Sequence, residues 1–291
     1  AGFGDGDGIF LTGGSNANLV AMLAARHHAF PNVRTYGLCE GTDQRPVVMI
    51  SNQAHYSFGK AANVLGIGTA NVIEVASDDQ GRMIPGELDA ALSKAKQEGK
   101  APFMVAATSG TTVMGAFDPL DQLADVCSSH GVWFHVDAAM GGPMLFSEKY
   151  RQLLQGLDRA DSMAWDFHKL IGMPLVCSVV LLHEQHRLQP AVMSSDTEYL
   201  FHDGGDDRYD LGVKSLQCGR RVDILKLWLA WQYHGTLGWC ERIEHLMDLA
   251  AHAEKRVRQS DSLVLAAPRQ SISVCFQVKP PEKQGIDDFT I

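Results

Sequence analysis

Short apolar, β-branched runs recur along the chain at 47–51, 71–76, 103–108, 132–137, Ser162–Asp166 and 178–183, and each is read as a strand. Nearly every position in them is apolar, rather than every second one, which marks strands covered on both faces. Between them lie stretches with helical spacing. One runs over 86–98 after Pro85, and another over 119–130, where Pro119 opens the helix and Gly131 closes it. Near the amino end, over 17–28, Leu19, Met22, Leu23 and Arg26 follow the three-to-four spacing. Strand–helix–strand repetition predicts an α/β fold, a mainly parallel sheet flanked by helices. In such sheets ligands gather at the carboxyl ends of the strands. Further on, a Leu- and Trp-rich helix over 221–234 is broken by the glycines of 235–238 before a second long helix ending near 260. The domain boundary is placed there, with a large domain over 1–235 and part of a smaller C-terminal α+β domain over 236–291. The strand-like segment 271–278 precedes Pro280 and Pro281, and as an edge strand with nothing beyond it suggests an incomplete domain.

With 291 residues, 45% apolar and 20% charged, the chain can bury one large core. No window approaches the ~18 uncharged apolar residues of a membrane span, and the Gly/Asp-rich start lacks the basic region of a signal peptide. A formal charge of -9, with the cations scattered, argues against a nucleic-acid surface. Cys39, Cys127, Cys177, Cys218, Cys240 and Cys275 form no Cys-x-x-Cys pair, which suits reduced thiols in the cytoplasm. His183 and His186 are the closest approach to a metal pair, lack the rest of a zinc signature, and are read as solvated; no metal site is expected.

Candidate chemistry lies at the segment ends. Gly13-Gly14-Ser15 immediately precedes the first helix: the glycines let backbone amides approach an anion, Ser15 adds a hydroxyl, and the helix N-terminus adds its positive dipole end. Alone, such a turn is also the ordinary start of a capped helix. A calcium loop from Asp5 fails because positions 9 and 16 are Ile9 and Asn16, and the dinucleotide fingerprint is absent. Asp137 ends one buried strand, and the next runs into Phe167-His168-Lys169, while His55 follows another strand. The conjunction suits one cofactor, pyridoxal 5'-phosphate (PLP): a lysine takes its aldehyde as an imine, an aspartate keeps its pyridine nitrogen protonated, a helix N-terminus binds its phosphate, and an imidazole stacks on its ring.

On these residues the sequence resembles the group II PLP-dependent amino-acid decarboxylases, particularly those acting on glutamate, aspartate and cysteine sulfinate, across nearly all of its length. The motifs are Gly6-Asp7-Gly8-Ile9-Phe10, Gly13-Gly14-Ser15, Ala54-His55-Tyr56-Ser57, Ala107-Thr108-Ser109-Gly110-Thr111-Thr112, His135-Val136-Asp137-Ala138-Ala139, His168-Lys169 and Gln217-Cys218-Gly219-Arg220-Arg221-Val222-Asp223. The resemblance implies the type I PLP-dependent transferase fold, with 1–235 as the cofactor-binding domain. It implies that Lys169 carries the imine, Asp137 pairs with the ring nitrogen, His55 stacks, Gly14 and Ser15 hold phosphate, Thr112 and Ala139 line the ring, and Asp166 and His168 lie beside the cofactor. It also implies a homodimer, and a lid in which Tyr199 of Tyr199-Leu200-Phe201 returns a proton to Cα after carbon dioxide leaves.

Three departures from the family pattern stand out: Asp166-Phe167 stands where Asn-Pro is usual, Met140 where an aromatic residue is usual, and Ala17 where serine is usual. An aspartate beside a phosphate is repelled unless it points away or is paired with a cation. Family members also extend before Ala1 and beyond Ile291, so the groups that select the substrate's distal acid are expected largely outside this sequence. An aminotransferase or a desulfurase-like lyase needs the same lysine and aspartate, and an inactive dimerisation module is the alternative outside enzymes.

Overall fold

The computed structural model describes residues 1–193 and 211–280. In chain order its principal elements are β1 (Asp7–Leu11), α1 (Gly14–Ala29), α2 (Val33–Gly41), β2 (Arg45–Ser51), α3 (Ser57–Val64), β3 (Val72–Val75), α4 (Pro85–Gln97), β4 (Lys100–Thr108), α5 (Leu120–His130), β5 (Trp133–Asp137), β6 (Ser162–Asp166), β7 (Ser178–Leu182), α6 (Gln189–Val192), α7 (Asp223–Arg258), β8 (Leu263–Leu265) and β9 (Phe276–Val278). A seven-stranded sheet has the order β1-β7-β6-β5-β4-β2-β3, and β8 and β9 form a separate antiparallel pair. From β3 to β6 every neighbour is parallel, and β7 runs antiparallel to both β6 and β1.

Alternate residues of the central strands enter two different cores, which is why those runs are continuously apolar. Val105, Phe134, Val136, Met163 and Trp165 pack on one face with Leu88 and Leu92 of α4 and Leu123 of α5. Met104, Ala106, Trp133, Ala164 and Val180 pack on the other with Ala21, Met22 and Ala25 of α1 and Phe58 of α3. Pro85 opens α4, and Gly131 closes α5 in the left-handed region at φ 65°.

Several elements differ from expectation. The Gly/Asp-rich start forms the edge strand β1: a Cβ on Gly8 would lie 2.8 Å from the Val180 carbonyl oxygen, so glycine permits the approach to β7. The break expected at 235–238 is present, by contrast, as a kink within α7, where Gly235 leaves helical geometry at φ 64°, ψ 177° between two helical runs. The predicted strand 271–278 shrinks to three residues, because it pairs only with the unanticipated three-residue β8. The helices α2 and α3 were not anticipated either, since both are short and carry a weak or glycine-interrupted pattern.

Parallel register sets up the site. Thr108 lies opposite Asp137, and Asp137 opposite Ala164, so three strand ends, with Asp166 two residues beyond Ala164, open on one edge of the sheet. The side chain of Asp118 reinforces this edge by accepting the Thr108 and Met83 backbone N–H groups at 2.7 and 2.6 Å.

Candidate active site

A cavity of about 390 Å³ lies at that edge, under the amino end of α1. Gly14, Ser15, His55, Thr112, Asp137, Ala139, Asp166, His168 and Lys169 all line it, so nine residues singled out by sequence converge. Tyr199 lies outside the described residues. Lys60 instead sits over the Tyr56 ring at 4.4 Å, and Lys214 pairs with Asp7 at 2.8 Å; neither lines the cavity.

Asp137 is 5% exposed at the end of β5. Its Oδ1 accepts the Ala139 N–H at 3.1 Å, and its Oδ2 accepts from Asn18 Nδ2 at 2.8 Å. An ionised carboxylate only accepts, so Asn18 must turn its amide nitrogen toward it and its oxygen toward His135 Nε2, 3.0 Å away. That oxygen in turn requires the proton of His135 on Nε2. Burial pushes the His135 imidazole down to about 3, so the ring is neutral, and its bare Nδ1 accepts the Ser162 hydroxyl at 2.8 Å. Ser162 Oγ accepts the Trp133 indole N–H at 2.8 Å. Polarity therefore runs one way along a buried string and ends on Asp137. Asn18 and His135 were missed as site residues by the sequence reading; the available signal was a polar Asn18 on the same stripe as the buried Ala21, Met22 and Ala25.

His55 is held by the Ser57 N–H, which donates to Nδ1 at 3.3 Å, and the ring leans on Tyr56 with centroids 4.1 Å apart. Desolvation outweighs the nearby Asp137 charge and lowers its pKa below the ordinary imidazole value, favouring the neutral ring. Thr108 is also on the wall, 4% exposed, and its hydroxyl has no hydrogen-bond partner among the described residues.

At the other end, α1 begins after Gly13, in a conformation (φ 115°, ψ 160°) that favours glycine, and no side chain caps it. Asp166, 2% exposed, accepts the Ser178 hydroxyl at 2.6 Å and pairs with Lys169 Nζ at 3.2 Å, with His168 Nε2 at 3.8 Å. Lys169 is thus the cation that pairs with Asp166, the partner that sequence alone did not identify.

The architecture is that of the type I PLP-dependent enzymes. The chain belongs to the pyridoxal-dependent decarboxylase family: residues 1–279 match the model of the pyridoxal-dependent decarboxylase conserved domain. Acidic amino acid decarboxylase GADL1 of Bos taurus is 43% identical over 99% of this chain and 55% of its own length. Cysteine sulfinic acid decarboxylase of Mus musculus is 44% identical over 98% of this chain and 58% of its own. The crystal structure of mouse CSAD matches with a TM-score of 0.91 at 43% identity, covering 95% of this chain and 57% of that one. Oryza sativa TDC with PLP and tryptamine matches with a TM-score of 0.87 at 31% identity, covering 96% of this chain and 57% of that one. The chain spans a little over half the length of these relatives. PLP is the cofactor of the family, and the cavity fits it: an oriented carboxylate, a lysine, a threonine hydroxyl with no partner among the described residues and an uncapped helix N-terminus line one cavity.

Proposed function

We propose that the protein decarboxylates an acidic L-amino acid, such as glutamate, aspartate or cysteine sulfinate, to the amine and carbon dioxide. The observation that carries this is the convergence of Lys169 and Asp137 in one cavity of a chain whose relatives include decarboxylases of acidic amino acids. When bound, PLP supplies an aldehyde for amino groups and a ring that withdraws electrons from Cα. Lys169 presents the amine that holds the aldehyde. Asp137, oriented by the two N–H groups that donate to it, would hold the ring nitrogen's proton. His55, with its pKa lowered by burial, would cover the ring without adding a charge, while Gly14 and Ser15 would give amides to the phosphate and Thr112 and Ala139 would bound the ring. Tyr199 donates the proton that replaces carbon dioxide at Cα.

In the cell this reading places the protein in the cytoplasm as a homodimer. Six free thiols suit a reducing compartment, and no helix among the described residues is long and apolar enough to cross a membrane.

Incubating the intact protein with carboxyl-labelled amino acids and PLP tests the reaction. Release of labelled carbon dioxide with stoichiometric amine is expected from an acidic substrate. Keto acid without carbon dioxide would indicate transamination and overturn the proposal. In the same assay Tyr199→Phe is expected to divert product from amine to aldehyde, and an unchanged ratio would remove Tyr199 from the chemistry.

A further inference from the structure

We infer that Asp166 sets the cofactor specificity of the site: its buried carboxylate occupies the anion-attracting end of α1 and weakens the preference for a phosphorylated over an unphosphorylated aldehyde. The inference rests on the proposal that this cavity binds PLP.

The placement is close. A Cβ built on Gly14 would stand 2.6 Å from Asp166 Oδ2 and 2.9 Å from Oδ1, so the carboxylate lies directly against the first residue of the helix. A helix N-terminus carries a partial positive charge that stabilises one nearby anion. Here that field already acts on a carboxylate that is 2% exposed and cannot be screened by bulk water. A phosphate cradled by Gly13, Gly14 and Ser15 shares the same helix end and is repelled. Inside a protein, like charges several ångströms apart repel more strongly than they do in water.

Lys169 offsets part of this repulsion, at 3.2 Å from Asp166, but its amine is also the group that takes the aldehyde. Its cation is therefore shared between two tasks. Ser178 donates a neutral hydroxyl at 2.6 Å and brings no charge, and His168 stands farther off at 3.8 Å. The charge of Asp166 thus acts on both halves of the cofactor. It pairs with Lys169, which affects any aldehyde, and it opposes the phosphate, which affects only the phosphorylated one.

That difference gives the test. The intact protein, stripped of cofactor, is titrated separately with pyridoxal phosphate and with pyridoxal, following tryptophan fluorescence, in wild type and in Asp166→Asn. Asparagine keeps the shape and the acceptor for Ser178 while removing the charge. Effects through Lys169 cancel in the ratio of the two dissociation constants. The ratio of the pyridoxal Kd to the pyridoxal phosphate Kd is expected to rise about tenfold, which corresponds to about 1.4 kcal/mol. An unchanged or smaller ratio overturns the inference, even if both affinities move together. Should Asp166→Asn fail to give a native circular dichroism spectrum, Asp166→Ser removes the same charge and is read by the same ratio. Wild-type protein that binds neither aldehyde would defeat the cofactor site itself, and the inference with it.

Discussion

Asp137 shows how a single functional residue depends on groups that do not touch the reacting atoms. Its orientation is inherited from Asn18, whose orientation is shared with a neutral His135. The ordinary imidazole pKa is near 6.5, and burial takes that of His135 to about 3 in the folded protein. Folding therefore favours the unprotonated ring, and its contribution is present in full above pH 6.5 and lost as pH falls from 6.5 toward 3. On the order of 3–5 kcal/mol is at stake over that window. Urea unfolding at a series of pH values should show this slope in wild type and a shallower one in His135→Gln; parallel slopes would mean that His135 does not stay neutral in the fold. Asn18→Ala leaves the His135 N–H and one Asp137 oxygen without their partner, and about 1–3 kcal/mol of stability should be lost. Cofactor retention in that variant should fall as well, whereas a purely structural asparagine would leave retention unchanged at temperatures where the variant is folded.

Among the elements, α1 is the one on which the site turns, because its first residue meets the end of β6. The contact at Gly14 admits no side chain: an added methyl would press on the Asp166 carboxylate, which Ser178 and Lys169 hold from the other side. Gly14→Ala is expected to push the start of the helix outward, costing about 1–3 kcal/mol of stability, and to weaken pyridoxal phosphate binding more than pyridoxal binding. Equal affinities to those of wild type would show that the helix end does not hold the phosphate. The strands that carry Asp137 and Asp166 were legible as elements, because burial on both faces leaves an unbroken apolar run. β1 was not, since Asp7 and Gly8 oppose strand propensity, and the absence of a side chain at Gly8 is what lets the strand lie against β7.

For the whole molecule, the exposed side of α7 bears on assembly. Leu225, Leu229 and Tyr233 recur four residues apart and are 49%, 54% and 84% exposed, with Trp228 beside them at 55%. A cavity of about 890 Å³, bordered by Phe3, Phe10, Leu181 and Leu211, adjoins the start of this helix at Val222 and Ile224. Contiguous apolar surface of this kind is unfavourable in water and fits burial against a second subunit. Light scattering of the intact protein should give the mass of a dimer, and Leu229→Glu with Tyr233→Glu should shift it toward the monomer without unfolding it. A fully active wild-type monomer would defeat the homodimer reading.

Apolar runs, prolines and glycines at helix ends, and strand-terminal residues already carried the α/β class and the group of Lys169, Asp137, His55 and Ser15, because these signals are local and read along the chain. Register and packing decided what was left. Asn18 became part of the site because a helix turn and two strands bring it to Asp137 from 119 residues away. The state of Asp166 was likewise settled by neighbours in space: Lys169 three residues on supplies the charge, but Gly14, 152 positions earlier, supplies the helix end against which that charge is held. Electrostatic interactions depend on distance through space and on burial, and neither is written in the spacing of residues along the chain.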